Sequence, residues 1–255
     1  MDENALLNLA LDVGEIMLTS GAETHRVGDR MERILSYNKK NSSEVFVTRT
    51  GLFVSINPDE KGSYSKLKRI QNRSVNLEKV SLANSISRDF VDGKITIDEA
   101  FEKINEIQVL PQKPWSTLLV CYTIVSCAFT FMFNGSIYDS ICSLIVGFFT
   151  GVMILVLGKY NVSTFLSSFF GGGIIAALAL FFYGIGFGNE YSKIIIGCLM
   201  PLVPGVAITN AIRDIMAGDY LSGTSRMVEA FLVAVAVAGG VGIVLNTVKW
   251  ILGGI

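Results

Sequence analysis

The 255-residue sequence predicts an α+β N-terminal domain over residues 1–113, followed by an all-α membrane domain of five transmembrane helices over residues 114–255. Charge distribution is the first reason. Residues 1–113 hold 16 of the 21 Lys/Arg and 17 of the 22 Asp/Glu, so ten charges remain for the rest of the chain. That is too few to cover a soluble surface, and the whole chain is only 17% charged against about a quarter for a soluble protein. Uncharged run length is the second. Residues 114–138, 140–158, 160–189, 194–212 and 230–248 carry no charge, and about 20 helical residues cross the hydrocarbon core. The third is a mixture of helical and alternating periodicity confined to the first part.

The N-terminal elements follow in order. Ala5, Leu6, Leu9, Ala10, Val13, Ile16 and Met17 repeat at helical spacing, which predicts an amphipathic helix over 4–19. Ser20 with Glu23 three residues on reads as a capping box. It opens a second helix to about Ser36 that buries Val27, Met31, Ile34 and Leu35. Glu44–Ile56 is rich in β-branched and aromatic residues around Gly51 and reads as a hairpin, with a further strand over 64–70. A helix over 77–90 follows. Thr96 and Glu99 form a second capping box opening a helix through Ile107, and Pro111 and Pro114 make a stiff linker. About 110 residues of this kind can own a modest core.

In the membrane domain the spans are placed at about 116–134, 139–158, 163–187, 192–210 and 229–248. Asn134-Gly135-Ser136 makes the first two a tight hairpin; Gly158–Asn161 and Gly188–Glu190 are further joints. Trp115 and Trp250 sit at span ends, where indole favours the interface. The acidic start lacks the basic and apolar regions of a signal peptide. The N-terminal domain is therefore expected in the cytoplasm, with Lys159, Arg213 and Arg226 on the inside joints and the C-terminus outside. Glycines in the third and fifth spans allow close helix approach, and Gly147–Gly151 is a G-x-x-x-G that fits intrachain packing or an oligomer contact.

Several chemistries are excluded. Net charge is −1, with no basic stripe for nucleic acid. Cys121, Cys127, Cys142 and Cys198 show no paired spacing and read as small packing residues. A single histidine, His25, forbids multi-histidine metal sites, and it reads as a surface residue. No nucleophile-elbow or P-loop pattern occurs, and Gly218-Asp219 lacks the glycine an intramembrane aspartyl protease would need at Met216. No enzyme activity and no cofactor are expected.

Met200–Ala230 is the richest segment. Pro201 and Pro204 lie inside the fourth uncharged run with Gly205 beside them, which predicts a kinked or broken span. A broken membrane helix exposes backbone polar groups, and transporters place substrate at such breaks. Thr209, Asn210, Arg213, Asp214 and Asp219 follow. Asn210 and Asp214 share a helix face. Arg213 offers a planar fork for a carboxylate, and Asp214 suits an ammonium or a proton. The competing reading is a cytoplasmic loop in which Arg213 and Arg226 are positive-inside anchors paired with Asp214 and Asp219. A second cluster is Glu23, Thr24, His25 and Arg26, with Arg26, Arg30 and Arg33 on one face. It reads either as a helix cap on a solvated face or as a gate or ligand sensor.

Together the two clusters resemble the threonine/serine exporter family. Gly21-Ala22-Glu23-Thr24-His25-Arg26-Val27 matches its cytoplasmic G-x-E-T-x-R-V motif. Pro201-Leu-Val-Pro204-Gly205, Asn210-Ala-Ile-Arg213-Asp214, Gly218-Asp219-Tyr220 and Ser222-Gly223 resemble its membrane motif. One departure is Gly28, with Asp29 after it, where an acid follows Arg-Val in the family pattern.

The resemblance implies a secondary exporter in a bacterial plasma membrane, driven by the proton gradient. Its substrate would be threonine and serine or a dicarboxylate such as succinate. A five-span chain with the soluble domain is similar to the larger subunit of a split pair, which implies a smaller all-membrane companion or a homo-oligomer. Pro204, Gly205, Thr209, Asn210, Arg213, Asp214 and Asp219 would meet substrate, and Glu23, Thr24 and Arg26 would form the cytoplasmic motif. The alternative is a membrane-anchored ligand sensor without transport of its own.

Overall fold

A computed structural model of the chain describes residues 3–37, 42–57, 64–71, 73–111 and 113–251. It is mostly helical, with a small three-stranded sheet near the N-terminus. Two compact units form: residues 1–111 with 206–227, and residues 112–205 with 228–255.

The first unit is built around α1 (Glu3–Thr19). The predicted amphipathic helix is present, with an apolar face wider than the spacing alone shows. Leu6, Leu7, Leu9, Ala10, Leu11, Val13, Ile16, Met17 and Leu18 are all buried, so α1 is covered on most of its circumference. It packs against α2 (Thr24–Leu35), α3 (Leu77–Val91), α4 (Ile97–Val109) and the sheet, which leaves only a narrow wet stripe. Each fully buried leucine contributes about 1.5–3 kcal/mol. At Gly14 an added Cβ would lie 2.5 Å from Met31 Sδ, so glycine sets the α1–α2 approach.

The predicted hairpin is present. β1 (Ser42–Thr48) and β2 (Gly51–Asn57) pair antiparallel with Val45 opposite Val54, and β3 (Tyr64–Arg69) adds to the far edge of β2. Leu52, Val54 and Ile56 alternate into the core while Phe53 faces out, the period-two pattern of a sheet covered on one side. Lys68 of β3 bridges Asp12 and Glu15 of α1, both at 2.7 Å.

Of the two expected capping boxes, one forms. Glu99 N donates to Thr96 Oγ1 (3.3 Å) and Thr96 N donates to Glu99 Oε2 (2.7 Å), which opens α4. The Ser20–Glu23 box does not. Helix α2 starts at Thr24, and Glu23 is its extended N-cap with no side-chain cap bond. The residues between α1 and α2 close a Schellman turn: Ala22 N donates to Met17 O and Gly21 N to Leu18 O. Gly21 takes φ +92°, which a side chain would strain.

The second unit holds α5 (Trp115–Met132), α6 (Ile137–Lys159), α7 (Thr164–Gly184), α8 (Tyr191–Leu199) and the C-terminal part of α10 (Tyr220–Ile251). Among the described residues, four helices are long and apolar enough to cross a membrane, or five when the broken pair after Tyr191 counts as one span. Phe148, Phe149, Phe170, Phe181 and Phe231 remain exposed, as a lipid-facing surface requires. Small residues make the helix contacts. A Cβ at Gly240 would meet Phe169 O at 2.0 Å, and one at Gly172 would meet Val237 O at 2.5 Å. Gly147 and Gly151 pack on Ser126 and Tyr122 of α5, so the G-x-x-x-G serves an intrachain contact.

Asp139, in the first turn of α6, is 1% exposed. It completes a capping box with Ser136 and accepts the backbone N–H groups of Asn189 (2.7 Å) and Glu190 (3.1 Å). One carboxylate thereby pins the start of α6 to the joint before α8.

Candidate functional site

The fourth uncharged run is not one helix. After α8 the chain tightens into a 3-10 turn (Met200–Leu202), and Val203 then goes extended at φ −66°, ψ 127°. Pro201 and Pro204 have no N–H to continue the ladder, so the helical bonding stops and restarts as α9 (Gly205–Met216). Pro204 is half-buried and Gly205 exposed, and both group with the second unit. From Val206 onward the segment groups with the first.

On α9 the face carrying Asn210, Ala211 and Asp214 is buried, while Thr209 and Arg213 lie on the exposed side. Gly218 at φ +89° closes a second Schellman turn, in which Asp219 N donates to Asp214 O and Gly218 N to Ile215 O. That turn sends the chain into α10, whose Gly223 lies so close to α9 that a Cβ would sit 2.4 Å from Ile215. Arg226, one turn further along α10, is buried.

The Glu23–Arg26 motif meets this surface. Thr24 N donates to Asp214 Oδ1 (2.9 Å), and Thr24 Oγ1 bonds to Oδ2 (3.3 Å). His25 Nδ1 lies 3.3 Å from Oδ1, and Arg226 Nε lies 3.4 Å from Oδ2. Arg213 Nη1 donates to Glu23 Oε1 (2.7 Å), whose other oxygen accepts from Arg26 Nη1 (2.8 Å). Asn210 Nδ2 donates to Gly21 O (3.0 Å), and Arg226 Nη2 to Ala22 O (3.1 Å).

The local physics explains the fit. The first N–H groups of a helix have no intrahelical partner, and its N-terminus favours an anion. Asp214 supplies that anion to α2 from 190 residues away. It is fully buried, and Arg226, which faces it, is nearly so, at 4% exposed. Glu23 is nearly buried as well. Burial pushes its carboxyl up, but the Arg213 and Arg26 guanidiniums outweigh that and hold it below the ordinary carboxylate range. Asp219 goes the other way. Burial and then the Asp214 charge raise it, against lowering by Ser222, His25 and Arg226.

The arrangement brings Glu23, Thr24 and Arg26 together with Asn210, Arg213 and Asp214, and sets Asp219 near Asp214. Thr209 stays on the exposed face of α9. His25 keeps 32% of its side chain exposed, as a surface residue would, while its Nδ1 lies beside the Asp214 carboxylate. The Arg226–Asp214 pair is one the competing loop reading named; sequence reasoning missed the Gly21 and Ala22 carbonyls as members of the cluster. No one-dimensional spacing links residue 22 to residue 226. Among the described residues no group of three or more His, Cys, Asp and Glu is placed to hold a metal ion.

Comparison with known proteins gives consistent results. A family model described as "Putative threonine/serine exporter" matches residues 8–248. A Corynebacterium glutamicum protein named "Threonine/serine exporter" is 24% identical over 93% of this chain and 50% of its own length. A Mycobacterium tuberculosis protein named "Probable threonine/serine exporter" is 19% identical over 95% of this chain and 46% of its own. The chain thus spans about half the length of these curated relatives. No solved structure matches it.

Proposed function

Because the chain belongs to the threonine/serine exporter family, we propose that it is a subunit of a bacterial membrane exporter for small carboxylate metabolites, with threonine and serine first and a dicarboxylate such as succinate second. The observation that carries this reading is the adjacent Arg213–Asp214 pair on α9, a few residues beyond the Pro204 break. Arg213 provides the planar fork for a substrate carboxylate. Asp214 provides two buried acceptor oxygens for an ammonium or hydroxyl, and Asn210 and Thr209 orient the molecule. Glu23, Thr24 and Arg26 close over this set as a cytoplasmic gate.

Proton coupling falls to Asp219. Burial and the neighbouring Asp214 charge raise its carboxyl above the ordinary aspartate value, which suits it to this role. In this reading a smaller all-membrane companion subunit, as the family likeness implies, completes the path.

The test is efflux of labelled threonine or succinate from loaded vesicles under an imposed proton gradient, with and without such a companion. Flux is expected for the wild type and is expected to fall at least tenfold, roughly the loss of one charge-assisted bond, in Arg213→Ala and Asp214→Asn. Full efflux by both variants, correctly inserted, would rule the assignment out. Ligand binding with no flux under any condition would favour the sensor reading.

A further inference from the structure

The groups seated on Arg213 and Asp214 are those of a hydroxy amino acid. Glu23 places a carboxylate on Arg213 Nη1 at 2.7 Å. Thr24 places its main-chain N–H on Asp214 Oδ1 at 2.9 Å and its β-hydroxyl on Oδ2 at 3.3 Å. Free threonine carries a carboxylate, an amino nitrogen and a β-hydroxyl. We propose that Glu23-Thr24 is an internal substrate mimic, which holds the positions on α9 until L-threonine or L-serine displaces it. The inference rests on the assignment of Arg213 and Asp214 to substrate.

The surroundings favour exchange over a fixed cap. Asp214 is fully buried, so any group that replaces Thr24 must bring equivalent donors or leave the carboxylate short of hydrogen bonds, with only Arg226 and His25 facing it. An ammonium does so and adds a positive charge facing the carboxylate, where the amide it displaces is a neutral donor. A β-hydroxyl then satisfies Oδ2, whereas L-alanine leaves it one donor short. The Arg213 side chain is 59% exposed, which gives an incoming carboxylate a route to the guanidinium. The mimic follows Gly21, whose left-handed conformation forms the joint between α1 and α2.

A site occupied by its own chain binds ligand with an affinity lowered by the fraction of time it stands open. The full chain in detergent is followed by hydrogen–deuterium exchange with L-threonine, L-serine or L-alanine, and by titration calorimetry. L-threonine is expected to speed exchange of the Thr24 amide on the order of tenfold, and L-alanine to leave it unchanged. Glu23→Gln and Thr24→Ala are expected to bind L-threonine on the order of tenfold more tightly than wild type. Unchanged or slowed exchange at Thr24 with L-threonine bound overturns the mimic, and this readout needs no variant to fold.

Arg213→Ala and Asp214→Asn separate the two ideas. If both bind L-threonine like wild type, the substrate assignment fails and the mimic with it. If both lose binding while wild-type Thr24 stays protected, the assignment stands and the mimic alone falls. Absence of binding in wild type, Glu23→Gln and Thr24→Ala alike overturns the mimic; binding gained only in those two variants supports it.

Discussion

Asp139 and Asp214 are equally buried, at 1% and 0% exposed, yet they are solvated by different chemistry. Asp139 accepts from Ser136 N, Ser136 Oγ, Asn189 N and Glu190 N, neutral donors supplied by two turns. Asp214 accepts from Thr24 N and Oγ1 and faces His25 and the Arg226 guanidinium. Backbone N–H groups cannot leave without unfolding a turn, so Asp139 is a fixed joint. Asp214 is held by one backbone N–H at a helix end together with side chains, donors that the proposed exchange requires to move away and be replaced. Burial alone does not tell these two carboxylates apart; the identity of their donors does.

The strongest test of this contrast is Asp214→Ala. It leaves Arg226 buried without its counter-charge, and stranding one member of a buried pair costs about 3–5 kcal/mol. A large drop in the thermal unfolding midpoint is expected together with loss of efflux. Asp139→Asn should cost about 1–3 kcal/mol, because an amide presents one acceptor where the carboxylate offered two. Its unfolding midpoint should fall while the concentration dependence of efflux per folded molecule stays that of wild type. If Asp139→Asn shifts that dependence as much as Asp214→Asn does, the distinction between joint and working site collapses.

A glycine pair sharpens the same point within the helices. Gly240→Ala drives a methyl against Phe169 O and should destabilise by about 1–3 kcal/mol, read from thermal unfolding. Gly205→Ala meets nothing within 4 Å and should stay within about 0.5 kcal/mol of wild type.

The smallest effect expected is a pH dependence of unfolding carried by two acids of opposite sign. Glu23 is depressed in the fold, so its stabilisation is present above its ordinary value of 4.5 and is lost as pH falls through the folded value. Glu23→Gln should flatten the acid limb of a plot of unfolding midpoint against pH. Asp219 is raised in the fold, so it favours the folded state at low pH and that contribution disappears as pH rises through its folded value. Asp219→Asn should remove this loss on the rising side of 3.8.

Much of the fold was legible because its rules are local. A run of uncharged residues long enough for the bilayer reads directly from the chain, as does the Thr96–Glu99 box. The break around Pro204 was legible too, since proline lacks its N–H wherever it sits. The Ser20–Glu23 box had the same spacing and failed. Glu23 found two guanidiniums, Arg26 nearby and Arg213 far along the chain, and charge-assisted bonds to both outweigh one reciprocal cap. Helix α1 was legible as amphipathic, but periodicity shows where apolar residues repeat, not how many neighbours will cover them.

The linear chain, then, specified its membrane-length helices, its turns and the place where the fourth run breaks, because each depends on residues a few positions apart. It also held both polar motifs in plain view. Which carboxylate meets which cation was settled only when folding brought Thr24 onto Asp214 and Ala22 onto Arg226, contacts spanning 190 and 204 residues. Hydrogen bonds and ion pairs act over a few ångströms of space and take no account of distance along the backbone, so no motif spacing could have announced them.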